Sequence, residues 1–230
     1  MIYEIAGLKV EMQAHFDRLK KQSEAYKASG EPAFSINSDL YPILYSTLCE
    51  CSDEQKEYIY SSAAFCREII RHGRFFLHAS AVVYEDAAYL FSAPSGMGKS
   101  THTKMWLNEF DGSYILNDDK PVIFPDNDSI YVFGTPFAGK SDLQVNKKVK
   151  LKAICFLNQG SENKISRITG DRAIAFTLNN TYRPKSFERM NLLLDMIGQV
   201  VDNTDIFEMS CRKEPAAAIM SYKAMKGEQF

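Results

Sequence analysis

The chain has 230 residues, of which 45% are hydrophobic and 24% are charged, and its formal net charge at pH 7 is −2. This composition predicts one large or two small soluble domains with a sizeable buried core. The weak net charge argues against nucleic acid and anionic membranes as partners. No run of about 18 apolar residues occurs, and residues 1–10 lack the basic start and apolar centre of a signal peptide. We therefore expect no membrane span and a cytoplasmic location.

The cysteines support the same location. There are five of them, an odd number, and they form no C-x-x-C motif: Cys49, Cys51, Cys66, Cys155 and Cys211. Free thiols in a reducing compartment are the expected state. Cys49 and Cys51 have no partner pair, so their spacing does not predict a metal site.

The N-terminal third predicts a small α/β unit. Its predicted elements are two strands within residues 2–10, a helix over 12–28, a strand over 33–37, and helices over 39–50 and 53–72. The last helix begins with the capping-box pattern Ser52-x-x-Gln55 and ends at Gly73. We expect residues 1–73 to pack on the rest of the chain as a lead-in. No separate function can be inferred for them.

The most informative stretch follows a predicted hairpin over residues 75–91, with its turn at Glu85-Asp86. A strand runs into Ala93-Pro-Ser-Gly-Met-Gly-Lys-Ser100, and a helix is predicted over 100–110. This matches the phosphate-binding pattern G-x-x-x-x-G-K-[ST] except at its first position, where Ala93 replaces glycine. The alternative is a glycine-rich turn that binds nothing.

Each residue type in this motif has a chemical reason. Gly96 and Gly98 let backbone N–H groups approach phosphate oxygens, and the following helix directs its positive end at the same anion. Lys99 would reach the β- and γ-phosphates, and the Ser100 hydroxyl would ligate Mg²⁺. The predicted nucleotide-binding residues of this stretch are Ser95, Gly96, Met97, Gly98, Lys99, Ser100 and Thr101.

Two carboxylates come next in the chain. A predicted strand over residues 114–117 ends in Asp118-Asp119, where a Walker-B acid would lie. One acid can hold Mg²⁺ and the other can accept a proton from an attacking hydroxyl. Because neighbouring strand residues point to opposite faces, both reach one site only if the strand ends there. An acidic turn without function is the alternative.

Three further residues remain open. His78 lies in an apolar run, where a buried core histidine is the alternative to a site residue. Lys140 lies in a glycine-flanked loop, residues 134–142, that could close over a nucleotide. Arg183 lies in a polar joint, either solvated or facing a phosphate. The remaining predicted elements are strands over residues 130–133, 149–157 and 206–209 and helices over 171–178, 186–201 and 214–225.

The chain also resembles a known family. Leu77-His78-Ala79, the Ser95–Ser100 loop and Asn117-Asp-Asp119 resemble, in order and approximate spacing, the catalytic domain of HPr serine kinase/phosphorylase. ATP-dependent phosphoenolpyruvate carboxykinase shares that architecture more distantly. The Gly-Thr-Pro-Phe-Ala-Gly loop, Asn146 and residues 151–157 look like a smaller branch of HPr-kinase-like proteins, some of them encoded with peptide-modification genes. The resemblance covers residues 74–225, and the family's Glu-x-Arg-Gly signature is missing.

The resemblance implies a P-loop, HPr-kinase-like mixed sheet with flanking helices over residues 74–230, preceded by the α/β lead-in. It implies ATP and Mg²⁺ as ligands, His78 near the phosphates, and Asp118 or Asp119 as general base. Lys99 would act in catalysis. The residues that would bind the metal are Ser100, Asp118 and Asp119. The predicted activity is phosphoryl transfer to a hydroxyl of a peptide, a protein or a small molecule. The alternative is a nucleotide-binding regulatory module without turnover, associated with peptide modification. Self-association into a homo-oligomer stays open.

Overall fold

The computed structural model describes residues 1–36, 50–127 and 129–228. Within them, six α-helices flank a three-stranded and a nine-stranded sheet. The helices are α1 (Asp17–Ser23), α2 (Asp53–Glu68), α3 (Lys99–Glu109), α4 (Gly170–Asn179), α5 (Phe187–Asn203) and α6 (Pro215–Lys226). The strands are β1 (Ile2–Ile5), β2 (Leu8–Met12), β3 (Phe34–Ile36), β4 (Phe75–Phe76), β5 (Ala79–Tyr84), β6 (Ala87–Ser92), β7 (Tyr114–Asn117), β8 (Val122–Asp126), β9 (Ser129–Phe133), β10 (Lys148–Gln159), β11 (Lys164–Ile168) and β12 (Asp205–Cys211).

The large sheet is built around the long strand β10. One edge of β10 pairs in parallel with β6, and the other pairs first with antiparallel β9 and then with parallel β12. The strand order is β4-β8-β9-β10-β6-β5-β7, and β12 also pairs with β11. This arrangement confirms the predicted mixed sheet with flanking helices.

Both faces of the central strands are buried, which explains why their sequences are nearly continuous apolar runs. Leu90 of β6 and Ile154 of β10 pack with α4 and α5 in one core. Phe91 and Cys155, their chain neighbours on the opposite face, pack with Trp106 of α3 and with α6 in another. Strand β6, which leads into the turn before α3, is therefore packed on both of its faces.

The predicted hairpin before this turn is confirmed. Strands β5 and β6 are antiparallel, with Tyr84 opposite Ala87. The connecting residues Glu85 and Asp86 both have positive φ, at 49° and 58°, the conformation of a two-residue hairpin turn.

The described residues of the N-terminal unit, 1–36 and 50–73, fold against the sheet. Strands β1 and β2 form a hairpin, and β3 pairs in parallel with β2. Helix α2 covers them with Phe65 and reaches Phe133 and Phe137 of the later chain. The Ser52–Gln55 capping box is present in full, and Gly73 closes the following 3₁₀ turn, Ile69–His72, at φ 70°.

The predicted helix over residues 12–28 is wrong in extent. Met12 belongs to β2, where it pairs with Ile36. The amides of His15 and Phe16 donate to the buried Glu57 carboxylate instead of to helical partners. Helix α1 therefore begins only at Asp17, and it ends at Ser23, where a 3₁₀ turn, Glu24–Tyr26, follows. The helix predicted over 39–50 falls almost entirely outside the described residues.

Two strands were not predicted. Strand β8 contains Pro125, which usually argues against a strand interior. It is tolerated because β4 pairs only with Val122 and Ile123, so Pro125 lies beyond that ladder. Strand β11 is mostly polar and pairs with β12 at the edge. In the described part of the chain, no helix has both the length and the apolarity needed to cross a membrane.

Candidate functional site

The site begins at the glycine loop, residues 93–98, which joins β6 to α3. Gly96 and Gly98 have φ values of 80° and 105°, and an added Cβ at either would meet no atom of the described residues within 4 Å. They are therefore needed for backbone conformation beside open space. Ala93 is buried and is not among the described non-glycine residues with positive φ. Alanine at this position is therefore unstrained.

Lys99 opens helix α3 and is 7% exposed. Its Nζ donates to the Ala93 carbonyl oxygen at 2.8 Å and lies 3.0 Å from Nε2 of His78. Burial lowers the pKa of Lys99, and the charges of Asp119 and Asp118 only partly oppose that effect. The ammonium thus contacts neutral acceptors in a desolvated place, where an anion would stabilise its charge.

His78 bridges the lysine and one of the acids. Its Nδ1 lies 3.0 Å from Oδ1 of Asp119. Since the Lys99 ammonium can only donate, Nε2 accepts, and Nδ1 carries the hydrogen that Asp119 receives. The ring is about one-third exposed, at 32% of its side-chain surface. Of the two interpretations of this histidine, the structure favours the residue at the rim of a site.

Asn117 explains how two adjacent acids reach one site. Strand β7 ends at Asn117, whose Oδ1 accepts hydrogen bonds from the amides of Asp119 at 3.0 Å and Lys120 at 2.7 Å. Its Nδ2 donates to the Thr135 carbonyl oxygen at 2.8 Å. The side chain thus turns the backbone out of the strand, and Asp118 and Asp119 line the same cavity.

The two acids have different partners. Asp118 Oδ1 accepts a hydrogen bond from the Ser100 hydroxyl at 3.0 Å. Asp119 receives hydrogen bonds from His78 and Lys120. Burial raises the pKa of Asp119, but these hydrogen bonds and the Lys120 charge outweigh burial and hold that pKa below its ordinary value. Asp119 is therefore an ionised carboxylate with both oxygens engaged.

These groups line one cavity of about 790 Å³, here called the first cavity. It collects ten of the residues that the sequence singled out: His78, Ser95, Gly96, Gly98, Lys99, Ser100, Thr101, Asp118, Asp119 and Lys140. Two others lie elsewhere. The Met97 side chain packs against the core beneath α3, and Arg183 is exposed on the segment after α4, away from the lining of this cavity.

The N-terminal unit supplies a wall that the sequence did not reveal. Its lining residues are Arg18, Cys51, Gln55, Tyr58 and Ile59. In the sequence, Tyr58, Ile59, Phe65, Ile69 and Ile70 form an apolar stripe along the helix predicted over 53–72, and such a stripe is more often core than a binding face. In the structure, however, Ile59 is 38% exposed. The apolar residues of α2 were the one sequence feature that could have pointed to this wall.

This wall is fastened to the loop that covers Asp119. The Gly139 amide donates to the Tyr58 hydroxyl at 2.8 Å, and Arg18 donates to the Gly139 carbonyl oxygen. The Arg18 guanidinium also lies 3.7 Å from the centre of the Tyr58 ring. Gly139 has φ 67°, and a Cβ there would lie 3.1 Å from Cβ of Asp119. Glycine therefore allows the loop to pack directly on the carboxylate.

Comparison with known proteins gives little beyond the fold. No protein-family model and no curated protein matches the sequence. Among solved structures, the chain is similar to the Hpr(Ser) kinase/phosphatase of Coxiella burnetii, at a TM-score of 0.38 and 11% identity, over 65% of this chain and 93% of that one. This is a distant likeness of fold.

Proposed function

We propose that the protein binds a nucleoside triphosphate with Mg²⁺ in the first cavity and transfers the γ-phosphoryl group to a hydroxyl. The acceptor would be a peptide, a protein or a small molecule. The observation that carries the proposal is Lys99, a buried ammonium at the start of α3. Its direct partners among the described residues, the Ala93 carbonyl and the His78 ring, are neutral. Beside it lie the open glycine loop and the Ser100–Asp118 pair.

Phosphate binding follows from the loop. Backbone amides around Gly96 and Gly98 and the N-terminal end of α3 favour an anion. Lys99 would then exchange the Ala93 carbonyl for phosphate oxygens, because a charge-assisted hydrogen bond is stronger than a neutral one. This exchange would also satisfy the charge that burial currently penalises.

The donor set fits Mg²⁺. Ser100 Oγ and Asp118 Oδ1 are 3.0 Å apart, and both are the hard oxygen donors that Mg²⁺ prefers, with phosphate oxygens and water completing the shell. Bound there, Mg²⁺ would neutralise charge on the β- and γ-phosphate oxygens. Ser100 and Asp118 are therefore the proposed metal side of the site.

Asp119 is the proposed base. The acceptor hydroxyl would give its proton to Asp119 while its oxygen forms a bond to the γ-phosphorus. The bond between that phosphorus and the β–γ bridging oxygen breaks, and the diphosphate leaves with the electron pair. His78 and Lys120 would orient the carboxylate. A weakly basic carboxylate suffices where the transition state is loose and little charge develops on the attacking oxygen.

A second candidate is a nucleotide-binding module that does not turn over. One observation favours it: both oxygens of Asp119 are already hydrogen-bonded, and its pKa is lowered. A base held in this way has less capacity to take a proton. Both candidates need Lys99 and Ser100, but only the enzyme needs Asp119.

Two matched substitutions separate the candidates. For the enzyme, Asp118→Asn weakens Mg-ATP binding, whereas Asp119→Asn leaves affinity nearly unchanged and lowers turnover by roughly 10²–10⁴. The exposed Asp111, outside the first cavity, provides the control Asp111→Asn. The assay combines calorimetry with transfer from γ-labelled ATP to a panel of peptide and small-molecule hydroxyls. Tight binding with no transfer to any acceptor, and an Asp119→Asn variant that behaves like wild type, would favour the module.

A further inference from the structure

A second cavity, of about 490 Å³, lies beside the first. Its lining residues are Gly96, Met97, Gly98, Thr101, His102, Met105, Gln159, Gly160, Cys211, Arg212 and Lys213. Gly96, Gly98 and Thr101 line both cavities. A single ligand can therefore extend from one cavity into the other across the glycine loop and the first turn of α3.

The walls of the second cavity differ from those of the first. Met97, Met105 and Cys211 are half-buried and pack against the core beneath α3. Thr101 and Met105 are four residues apart and so share one side of that helix. Thioether groups favour contact with flat aromatic rings. Gln159 and Arg212 are exposed polar residues of the same lining, so the cavity joins apolar walls to hydrogen-bonding groups.

His102 adds a polar atom without a partner. The Ser221 hydroxyl donates to the Ala218 carbonyl oxygen at 2.9 Å, so it can only accept from its two other neighbours, Trp106 Nε1 and His102 Nε2. Burial lowers the pKa of His102 to about 4, which leaves a neutral ring with its hydrogen on Nε2. Its Nδ1 is then a buried acceptor that has no hydrogen-bond partner among the described residues.

We propose that the second cavity binds the nucleoside of the triphosphate, with the base against Met97 and Met105 and the α-phosphate passing over Thr101. This inference rests on the proposed function, because the phosphates must occupy the first cavity. A heterocyclic base matches the apolar walls. The ribose hydroxyls and the exocyclic groups of the base can form hydrogen bonds with Gln159 and Arg212, the exposed polar residues of the lining.

The test compares ATP with inorganic tripolyphosphate, each with Mg²⁺, by calorimetry on the full chain. We expect ATP to bind at least about tenfold more tightly, because only ATP has a base to bury. Equal affinities would overturn the nucleoside site while leaving the phosphate site intact. Absence of binding by both ligands would overturn the proposed function and this inference together.

A substitution locates the base. Cys211→Trp fills the second cavity, so ATP affinity should fall to that of tripolyphosphate. Retained tripolyphosphate binding shows that the variant is folded, and Cys211→Ser is the matched control that keeps the space open. An unchanged preference for ATP in folded Cys211→Trp would overturn the proposal.

Wild-type protein gives an independent readout that requires no substitution. We expect ATP to slow alkylation of the Cys211 thiol by iodoacetamide, followed by mass spectrometry, and tripolyphosphate to leave it unchanged. Equal rates with and without ATP, at ATP concentrations that saturate binding, would count against a nucleoside beside Cys211.

Discussion

Replacing Lys99 with methionine tests the phosphate site through one charge. The substitution keeps the length and apolar stem of the side chain and removes the ammonium. Lys104 provides a matched control, because it lies on the same helix and lines the same cavity but is exposed. Lys104→Met therefore removes an equal charge from a solvated position.

The expected loss of Mg-ATP affinity in Lys99→Met follows from the surroundings of Lys99. A charge-assisted hydrogen bond in a partly desolvated site is worth about 1.5–3 kcal/mol, so Mg-ATP affinity should fall by about 10- to 150-fold. The free energy of unfolding should stay equal or rise, since burial lowers the pKa of Lys99 and the folded protein therefore disfavours its charge. Lys104→Met should change affinity by less than about threefold, because solvent screens its charge.

Calorimetry with Mg-ATP and urea unfolding of the three proteins measure both quantities. Weak binding with unimpaired stability would identify Lys99 as a residue kept for function. Equal affinity of wild type and Lys99→Met would refute the reasoning, and so would equal losses at Lys99 and Lys104, which would indicate a general charge effect.

Three further predictions concern the loop and the metal. Tyr58→Phe removes the acceptor of the Gly139 amide. Phosphoryl transfer should slow while Mg-ATP affinity stays within about twofold, and the free energy of unfolding should fall by about 0.5–1.5 kcal/mol. A loss confined to affinity would contradict the role given to this contact. Gly139→Ala should destabilise the protein by about 1–3 kcal/mol because of its positive φ. The loss should exceed that of Gly73→Ala, since Gly73 has a similar φ but no close contact among the described residues. Equal losses of unfolding free energy in urea titrations would mean that the close approach of Gly139 to Asp119 carries no cost. Ser100→Ala should weaken ATP binding in the presence of Mg²⁺ and leave ATP binding in EDTA unchanged. If calorimetry shows equal losses of affinity in both buffers, Ser100 is not a ligand of the metal.

The parts of the fold that local signals encode were predictable. The capping box at Ser52 and the alternation that builds the β5–β6 hairpin each depend on a few neighbouring residues. The spacing of Gly96, Gly98 and Lys99 placed a turn between a strand and a helix, where the structure has one. Such signals act over a few residues, so they can be read without knowing the distant contacts of the chain.

The rest depends on contacts between distant parts of the chain. Arg18 and Tyr58 line the first cavity because both contact Gly139, which lies more than 80 residues later in the chain than Tyr58. The predicted helix over 12–28 fails at its start because Met12 pairs with Ile36, a residue of another strand 24 positions later. Asn117 shows an intermediate case. The sequence places Asn117 directly before the two acids. The turn that its side chain stabilises, however, also depends on a hydrogen bond to Thr135, 18 residues later.

The central claim is that the glycine loop binds the triphosphate while Ser100 and Asp118 hold its metal. A crystal structure with Mn²⁺ and a non-hydrolysable ATP analogue tests it most directly, because Mn²⁺ gives an anomalous signal. The account predicts an anomalous peak in contact with Ser100 and Asp118, phosphate density over Gly96 and Gly98, and Lys99 turned from the Ala93 carbonyl to a phosphate oxygen. Nucleotide bound elsewhere, or a metal peak away from both residues, would contradict it.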